Sequence, residues 1–598
     1  MRHGALSAAL DAQAARGRDG APSAGLLSRI GRRNAELQDD GGNPFRKIGG
    51  AIELHCVVDP ASRRVADAAS FASAFRGYET LLLKRDLRDA GLISATASGI
   101  CGGVHAATSA QCLEMALGIR TPPLAILMRN LLLACQYLND AVMHLFVLSG
   151  PDYAETAIRA TNREIWTKAS QAPARHATVH GHATIGAILT ELERPAGRLF
   201  AEALDMMRLA RAAYALLAGK YPNSESIVPG GMALELDRER LDAFVAKLTP
   251  FKAYAVRTAR LWDDVFDFLS ACDPGYRDLG RRPANLVDFG QWDDEDSYDG
   301  SYARCDEWGE RRWSTPGAVI GGELVTTSLA ELNCGMEVFV DNSFYDSGRG
   351  TAHRSDPLGN PIGAQHPWNQ SVRSNPQKEG AYSWAASLVW ERNVFEVGCY
   401  ARLYVSALAK KMRPSARMAS TGRSLVFDEL EWRVPETWNA FERNRARAYS
   451  LAFNLAVLGE CHARAQKLLC SGATQLRTAL RLPAAGLSLG AGFGGAGRGM
   501  LAHWAVLDGA QLDNYQIAIP SRINGAPRSP WGQPGAIEEA LLNTRIVEAG
   551  FKHPEELLGI DIVRAIQSFD PCMPCKAEIA FTGTNFTQSR EVTSDGLI

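Results

Sequence analysis

Long apolar runs, blocks of one charge sign and clustered cysteines are all scarce in this 598-residue chain. Twelve cysteines are too few to staple so long a chain, which makes a reducing compartment the default expectation. Basic and acidic side chains nearly cancel, 64 against 66, so no general basic field marks nucleic acid as a partner. No apolar run reaches the length of a membrane span: the longest candidate, Pro122 to Leu138, is interrupted by Arg129. The N-terminus lacks the apolar core of a signal peptide. Met1 to Asp40 is rich in Arg, Ala and Gly and reads as part of a flexible arm over residues 1–43. No internal repeat is present. A cytoplasmic location is the expectation, with membrane association supplied only through partners.

What is present is ordinary globular composition, 46% hydrophobic and 22% charged, in a chain long enough to bury a large core. Residues 48–58 alternate as a strand does and end at Asp59-Pro60. Leu124 to Val147 is apolar on most faces and predicts a buried helix; 191–217 and 241–269 are amphipathic helical patterns. From Asp273 to about Gly380 the texture shifts to Gly, Pro, Asp, Trp and Asn, a loop-and-strand insertion. Helical texture resumes from Ala381, and Trp438 to Leu469 is the longest helix candidate. Near the end, Asp508-Gly509 marks a β-hairpin turn. The pattern predicts one mainly α body with small β elements (α+β), spanning residues 44–578, followed by a tail over 579–598.

Two motif matches are decoys. Gly490-x-Gly492-x-x-Gly495 and Gly486-x-Ser488-x-Gly490 fit a dinucleotide fingerprint and a nucleophile elbow, but neither has the strand-turn-helix setting those motifs require. A flexible Gly-rich loop accounts for both. The acidic run Asp293 to Asp299 lacks calcium-loop spacing and reads as a solvated loop. The cysteines carry more. Cys572-Met-Pro-Cys575 is a CxxC pair near the C-terminus, and Cys101-Gly-Gly-Val-His105 adds a thiol and an imidazole. By donor type, Cys101, Cys572, Cys575 and His105 could form a Cys₃His zinc site. The remaining cysteines are unclustered and read as core residues.

Several segments then fall into a recognisable order. They are PFRKIGGAIEL, FRGYETLLLKRDLRDAGLISATASGICGGVHAATS at 75–109, RNLLLACQYLND, HPWNQSV, LEWRVPETWNAFERNRARAY, GRGMLAHWAVLDGAQLDNYQ and SFDPCMPC. In this order they resemble the large subunit of nickel-iron hydrogenases, most nearly the high-affinity, oxygen-tolerant actinobacterial type. The resemblance implies a buried nickel-iron centre, its iron carrying CO and cyanide, that oxidises H₂. It also implies an iron-sulfur small subunit as partner, because this chain has no cluster-binding cysteine set, and a dimer of such pairs. Cys101 and Cys575 resemble the bridging thiolates and Cys572 a terminal nickel ligand. His105 resembles the histidine that hydrogen-bonds a bridging thiolate. Arg498 resembles the arginine above the metals, and Asp570 its carboxylate partner. Glu79 and Glu578 stand at the positions of magnesium ligands.

The departures lie at the same site. Ser98 stands where the first cysteine of the N-terminal pair belongs, and a hydroxyl is a harder, far less ionised donor than a thiol. Thr96 replaces an arginine, Gly49 the proton-relaying glutamate and Ala51 its neighbouring histidine; Tyr221-Pro222-Asn223 stands where relatives have a histidine-rich stretch. Glu578 replaces the histidine of the C-terminal processing signal, so the tail from Ile579 is expected to stay on the chain. Two functions therefore stand side by side: H₂ oxidation at an altered centre, with Arg498 or Cys572 as the base, and a degenerate subunit acting as scaffold or holding zinc or iron in a Cys₃ pocket.

Overall fold

The computed structural model describes residues 20–39, 51–349, 353–410 and 412–593. Gly49 lies outside the described residues. Part of the expected flexible arm is ordered: helix α1 (Ala24–Asp39) buries Leu26 and Ile30, four residues apart on one face, in a cluster with Phe71, Tyr382 and Trp384. Strands β1 (Ile52–Asp59) and β2 (Arg64–Ala72) follow, antiparallel. Their turn is set by Asp59, whose carboxylate accepts from the Ala61 and Ser62 N–H groups.

The helical body begins with α2 (Gly102–Leu117) and α3 (Pro123–Val142), the latter opened by a proline at its first turn and continued by a π-turn over Met143–Leu148. Together Pro123–Leu148 is long and apolar enough to cross a membrane by composition, yet 94% of its most apolar window is buried inside the fold. Arg129, the break seen in the sequence, is satisfied there by two bonds to Glu114, at 3.0 and 2.6 Å. Helix α4 (Arg198–Ala218) starts later than the pattern suggested, after Pro195 and Gly197. The pattern over 241–269 is two helices, Arg238–Leu248 and α5 (Phe251–Cys272), because Pro250 has no N–H to continue the first. Helix α6 (Ala440–Cys470), capped by the Asn439 side chain, packs against α3 and α5; Phe441 stacks on Phe266 at 4.8 Å.

The Gly-rich stretch is no loop. It forms strand β3 (Leu487–Ala496), paired with β4 (Gly499–Asp508), which pairs in turn with β5 (Gln511–Ala518) around the expected turn at Gly509. Its glycines let β3 press onto α2: a Cβ at Gly490 or Gly492 would run into the carbonyls of Cys112 or Thr108. Within the acidic run Asp294 and Glu295 are buried rather than solvated, with Arg413 pairing Asp294 at 2.9 Å and Glu295 at 3.0 Å, and Arg464 pairing Glu295 at 2.9 Å. The insertion consists of short strands and turns around Trp308 and Trp368, packed onto the outer face of the β3–β5 sheet. At the C-terminus come α7 (Ile560–Gln567), β6 (Cys575–Phe581) and β7 (Thr587–Thr593). β6 runs parallel to β1, pairing Ile52 with Cys575, in a sheet ordered β7-β6-β1-β2. The tail therefore packs as a strand: Gln567 Nε2 donates to the Val592 carbonyl at 2.7 Å and Arg590 Nε to that of Leu558 at 2.6 Å. The fold is mainly helical with small sheets, as the sequence pattern predicts.

Candidate metal centre

Cys101 caps the start of α2, and the turn before it is closed by Ser98, whose Oγ accepts from the N–H groups of Cys101 at 3.0 Å and Ile100 at 3.3 Å. Gly102 and Gly103 follow because any Cβ there would collide with Asn223 or the Tyr214 hydroxyl, so the 221–223 segment lies against the mouth of this turn. Burial pushes the Cys101 thiol well up, with Arg498 opposing it. A metal taken up here would have to displace that proton.

Arg498 sits in the tight connection between β3 and β4, where Gly497 is required because a Cβ would strike Asp140. Its Nη1 lies 3.0 Å from Asp140 Oδ2 and 3.7 Å from Cys101 Sγ, and its Nη2 3.4 Å from Asp570 Oδ1. All three charged residues are 1% exposed. Asp570 follows α7 at φ +54°, a strained left-handed conformation for a residue other than glycine, which turns its carboxylate toward His144 Nδ1 at 3.1 Å and Arg447. Burial works to raise the Asp570 carboxyl, but Arg498 and His144 outweigh it and hold the group well below the usual range. Burial lifts the Asp140 carboxyl to about 6, with Arg498 opposing.

Arg498 Nε and Nη2, Asp140 Oδ2 and both Asp570 carboxylate oxygens are buried and yet make no well-aligned hydrogen bond. Native interiors rarely leave charged atoms in that condition without a further group among them.

Cys572 is half-buried; the Ser521 hydroxyl donates to its sulfur at 3.0 Å and accepts from its N–H at 2.9 Å. Cys101 and Cys572 flank Arg498, whose charge both sulfurs influence. Cys575 begins β6 beside Ile52, fully buried, its thiol raised by burial and by nearby Glu53. The structure thus gathers Cys101, Cys572, Arg498 and Asp570. It does not assemble the Cys₃His zinc set: His105 Nδ1 is taken by His503 Nε2 at 3.1 Å, and among the described residues no three His, Cys, Asp or Glu side chains converge on a metal position. Glu79 and Glu578 are also kept apart. Glu79 faces Arg522 at 3.9 Å in an apolar cavity with Tyr345, while Glu578 binds Lys576 at 2.7 Å in a cavity beside His55. Three thiols and a hydroxyl already holding two N–H groups do not fit a four-thiolate centre unaltered. The cluster of paired but incompletely hydrogen-bonded charges around them does fit a further charged group.

Asp140, His144, Arg447, His503 and Ser521 carried no role in the sequence reading. The first two were legible: an Asp and a His four residues apart on a mostly apolar helical run are polar groups that burial must employ. The other three gave no local signal.

Known proteins place this arrangement. The family described as nickel-dependent hydrogenase matches residues 76–184 and 190–577. The chain is 28% identical to the Hydrogenase-1 large chain of Escherichia coli K12, over 90% of this chain and 94% of that one. It is 26% identical to the Hydrogenase-2 large chain of the same organism, over 92% and 99%. Among solved structures, an actinobacterial-type NiFe-hydrogenase from Ralstonia eutropha H16 superposes with a TM-score of 0.84 at 34% identity, covering 89% of this chain and 98% of that one. The chain carrying this thiol and arginine pocket belongs to the large subunits of the nickel-iron hydrogenase family.

Proposed function

We propose that the chain is the metal-bearing large subunit of a hydrogenase-type oxidoreductase that activates H₂ at an altered centre and passes electrons to an iron-sulfur small subunit. The observation that carries this reading is the set of buried, incompletely bonded charges of Arg498, Asp140 and Asp570 beside Cys101 and Cys572. Such a cluster costs folding free energy, and a chain relieved of ligand binding has no use for it. When bound, a nickel-iron group supplies the open coordination position and Lewis acidity that heterolytic H₂ cleavage needs; no step through it is derived from this donor set.

The chain's own residues have definable tasks. Cys101, Cys572 and Cys575 are the ligands available, with Ser98 at the fourth position. Arg498 keeps a fixed positive charge over the Cys101 sulfur, held from both sides by Asp140 and Asp570. Ser521 places a hydroxyl proton on the Cys572 sulfur, where a proton can be held or passed on. For the small subunit, the exposed Phe75, Leu81, Leu83 and Leu92, all in the segment leading in sequence to Ser98 and Cys101, are apolar side chains available for contact. A magnesium role for Glu79 and Glu578 finds no support, since each has its own cation partner.

A scaffold reading is favoured by one observation, the Ser98 hydroxyl already committed to two backbone N–H groups. Co-expression with hydrogenase maturation factors and a small subunit separates the two. Nickel and iron in equal amounts with H₂-dependent dye reduction supports the proposal; zinc alone, or no metal, with no H₂ uptake refutes it.

A further inference from the structure

We infer that the groove between α1 and the face of strands β1 and β6 is a binding site for a phosphorylated small molecule, whose phosphate is held by Arg29 and Arg32. The inference stands apart from the metal pocket and needs no metal. The groove has a volume of about 870 Å³, inside the range of roughly 300–1,000 Å³ usual for small-molecule sites. Its walls are this chain's own: α1 precedes the stretch that the hydrogenase family matches, residues 76–577, and the β6–β7 turn follows it.

Strand register sets the floor. His55 pairs with Glu578 and Val57 with Ala580 across the parallel strands β1 and β6, and alternation turns both pairs toward α1. On the helix, Arg29, Arg32 and Arg33 share the flank that overhangs this floor, three and four residues apart. The carboxylates of the groove are already taken. Glu53 is held by Arg33 at 3.2 Å and by Lys576 at 3.4 Å, Glu578 by Lys576 at 2.7 Å, and Glu36 by Arg33 at 3.4 Å. Among the described residues Arg29 and Arg32 have no carboxylate partner; Arg32 Nη1 donates to the Ser28 hydroxyl at 3.0 Å. His55, 5% exposed, lines the groove with its Nε2 lacking a well-aligned bond, 3.5 Å from Glu53 Oε2.

Two guanidinium groups without carboxylates, one turn apart, define the ligand's chemistry. Their combined charge matches a phosphate monoester, which carries about −1.5 to −2 at neutral pH, and each planar fork meets phosphate oxygens in pairs. A carboxylate brings a single charge and would leave one arginine over. Ser28, Thr584, Asn585 and Thr587 add hydroxyl and amide donors around the groove. Val57, Ala580 and Phe581 supply apolar floor for an organic body, and Phe586, 39% exposed, sets its ring 5.8 Å from that of Phe581. A bound phosphate ester thus bridges α1 and the β6–β7 turn, segments from opposite ends of the chain.

Titration calorimetry of the metal-free full-length chain with AMP, inorganic phosphate and adenosine tests this. AMP should bind saturably with a Kd below about 1 mM, inorganic phosphate should compete more weakly, and adenosine should not bind. Arg29→Gln with Arg32→Gln should weaken AMP roughly tenfold or more, since each charge-assisted bond is worth about that factor. The single Arg32→Gln, at an exposed position, serves if the pair does not fold. Arg208→Gln, an exposed arginine paired with Asp205, is the control and should bind as the wild type does. Hydrogen exchange in the presence of AMP should slow in α1 and around residues 584–587 together. No binding of AMP or phosphate, equal affinity for adenosine and AMP, or wild-type affinity in the folded arginine variants overturns the inference. Because no metal is needed, a chain that proves to bind neither nickel nor iron defeats the proposed function while leaving this result readable.

Discussion

Replacing Ser98 with cysteine should reverse the sign of its own effect on stability according to whether metal is present. In the metal-free chain the Ser98 hydroxyl accepts two backbone N–H groups, at 3.0 and 3.3 Å, that hold the turn into α2. Sulfur is a longer and weaker acceptor. Losing part of two bonds, each worth ~1 kcal/mol net, should cost Ser98→Cys about 1 kcal/mol before loading. With metal the balance turns, because the new thiol stands three residues before Cys101 in a turn that aims both side chains at one point, and a fourth thiolate enters the donor set. If the metal is then present at a hundredfold its dissociation constant, binding adds about 2.7 kcal/mol. The loaded variant should therefore be about 1–2 kcal/mol more stable than the metal-free wild type. The assay is thermal unfolding before and after chelation, with nickel and iron quantified and infrared bands of iron-bound CO and cyanide recorded after co-expression with maturation factors. Ser98→Ala is the control, losing the turn bonds without adding a ligand. If Ser98→Cys carries no more nickel than Ser98→Ala and shows no such bands, the missing thiolate is not what separates this pocket from its relatives.

Three further outcomes follow from the same geometry. Arg498→Leu strands Asp140 and Asp570 in the core and should lower unfolding free energy by ~3–5 kcal/mol in denaturant titrations, with Arg498→Lys costing less; a leucine variant within 1 kcal/mol of wild type would contradict the clamp. Burial raises the Asp152 and Glu548 carboxyls each to about 7, so the folded chain binds more protons than the unfolded one between the ordinary carboxylate range and pH 7. Stability should therefore fall as pH rises through about 5 to 7, by ~2 kcal/mol for each group over that interval, and Asp152→Asn with Glu548→Gln should flatten that slope in urea midpoints. Strand β7 completes the sheet that also holds Cys575, so intact mass spectrometry of the native protein should find a chain that retains it; a mass ending near Glu578 refutes this.

Much of the fold was legible because its causes are local. The apolar periodicity of α3 and α6 and the Asp508-Gly509 turn each depend on residues within a few positions of one another. Errors arose where a local signal has two physical outcomes. Glycines 490, 492 and 494 look like a flexible loop until α2 lies against them, when they become the condition for a close-packed strand. Asp294 and Glu295 look solvated until Arg413 and Arg464 arrive from more than a hundred residues away. The same division runs through the site. Cys101, His105, Cys572 and Cys575 could be named from the sequence because motif spacing marks them; Ser98, Arg498 and Asp570 stood out only through the family resemblance. Only the tertiary structure could show that Arg498 is held between Asp140 and Asp570, that Glu79 and Glu578 point into separate cavities, and that His105 turns to His503. Those pairings join α2, α3, the β3–β4 turn and the segment after α7, and burial decides which distant charges must meet, a constraint no short stretch of sequence contains.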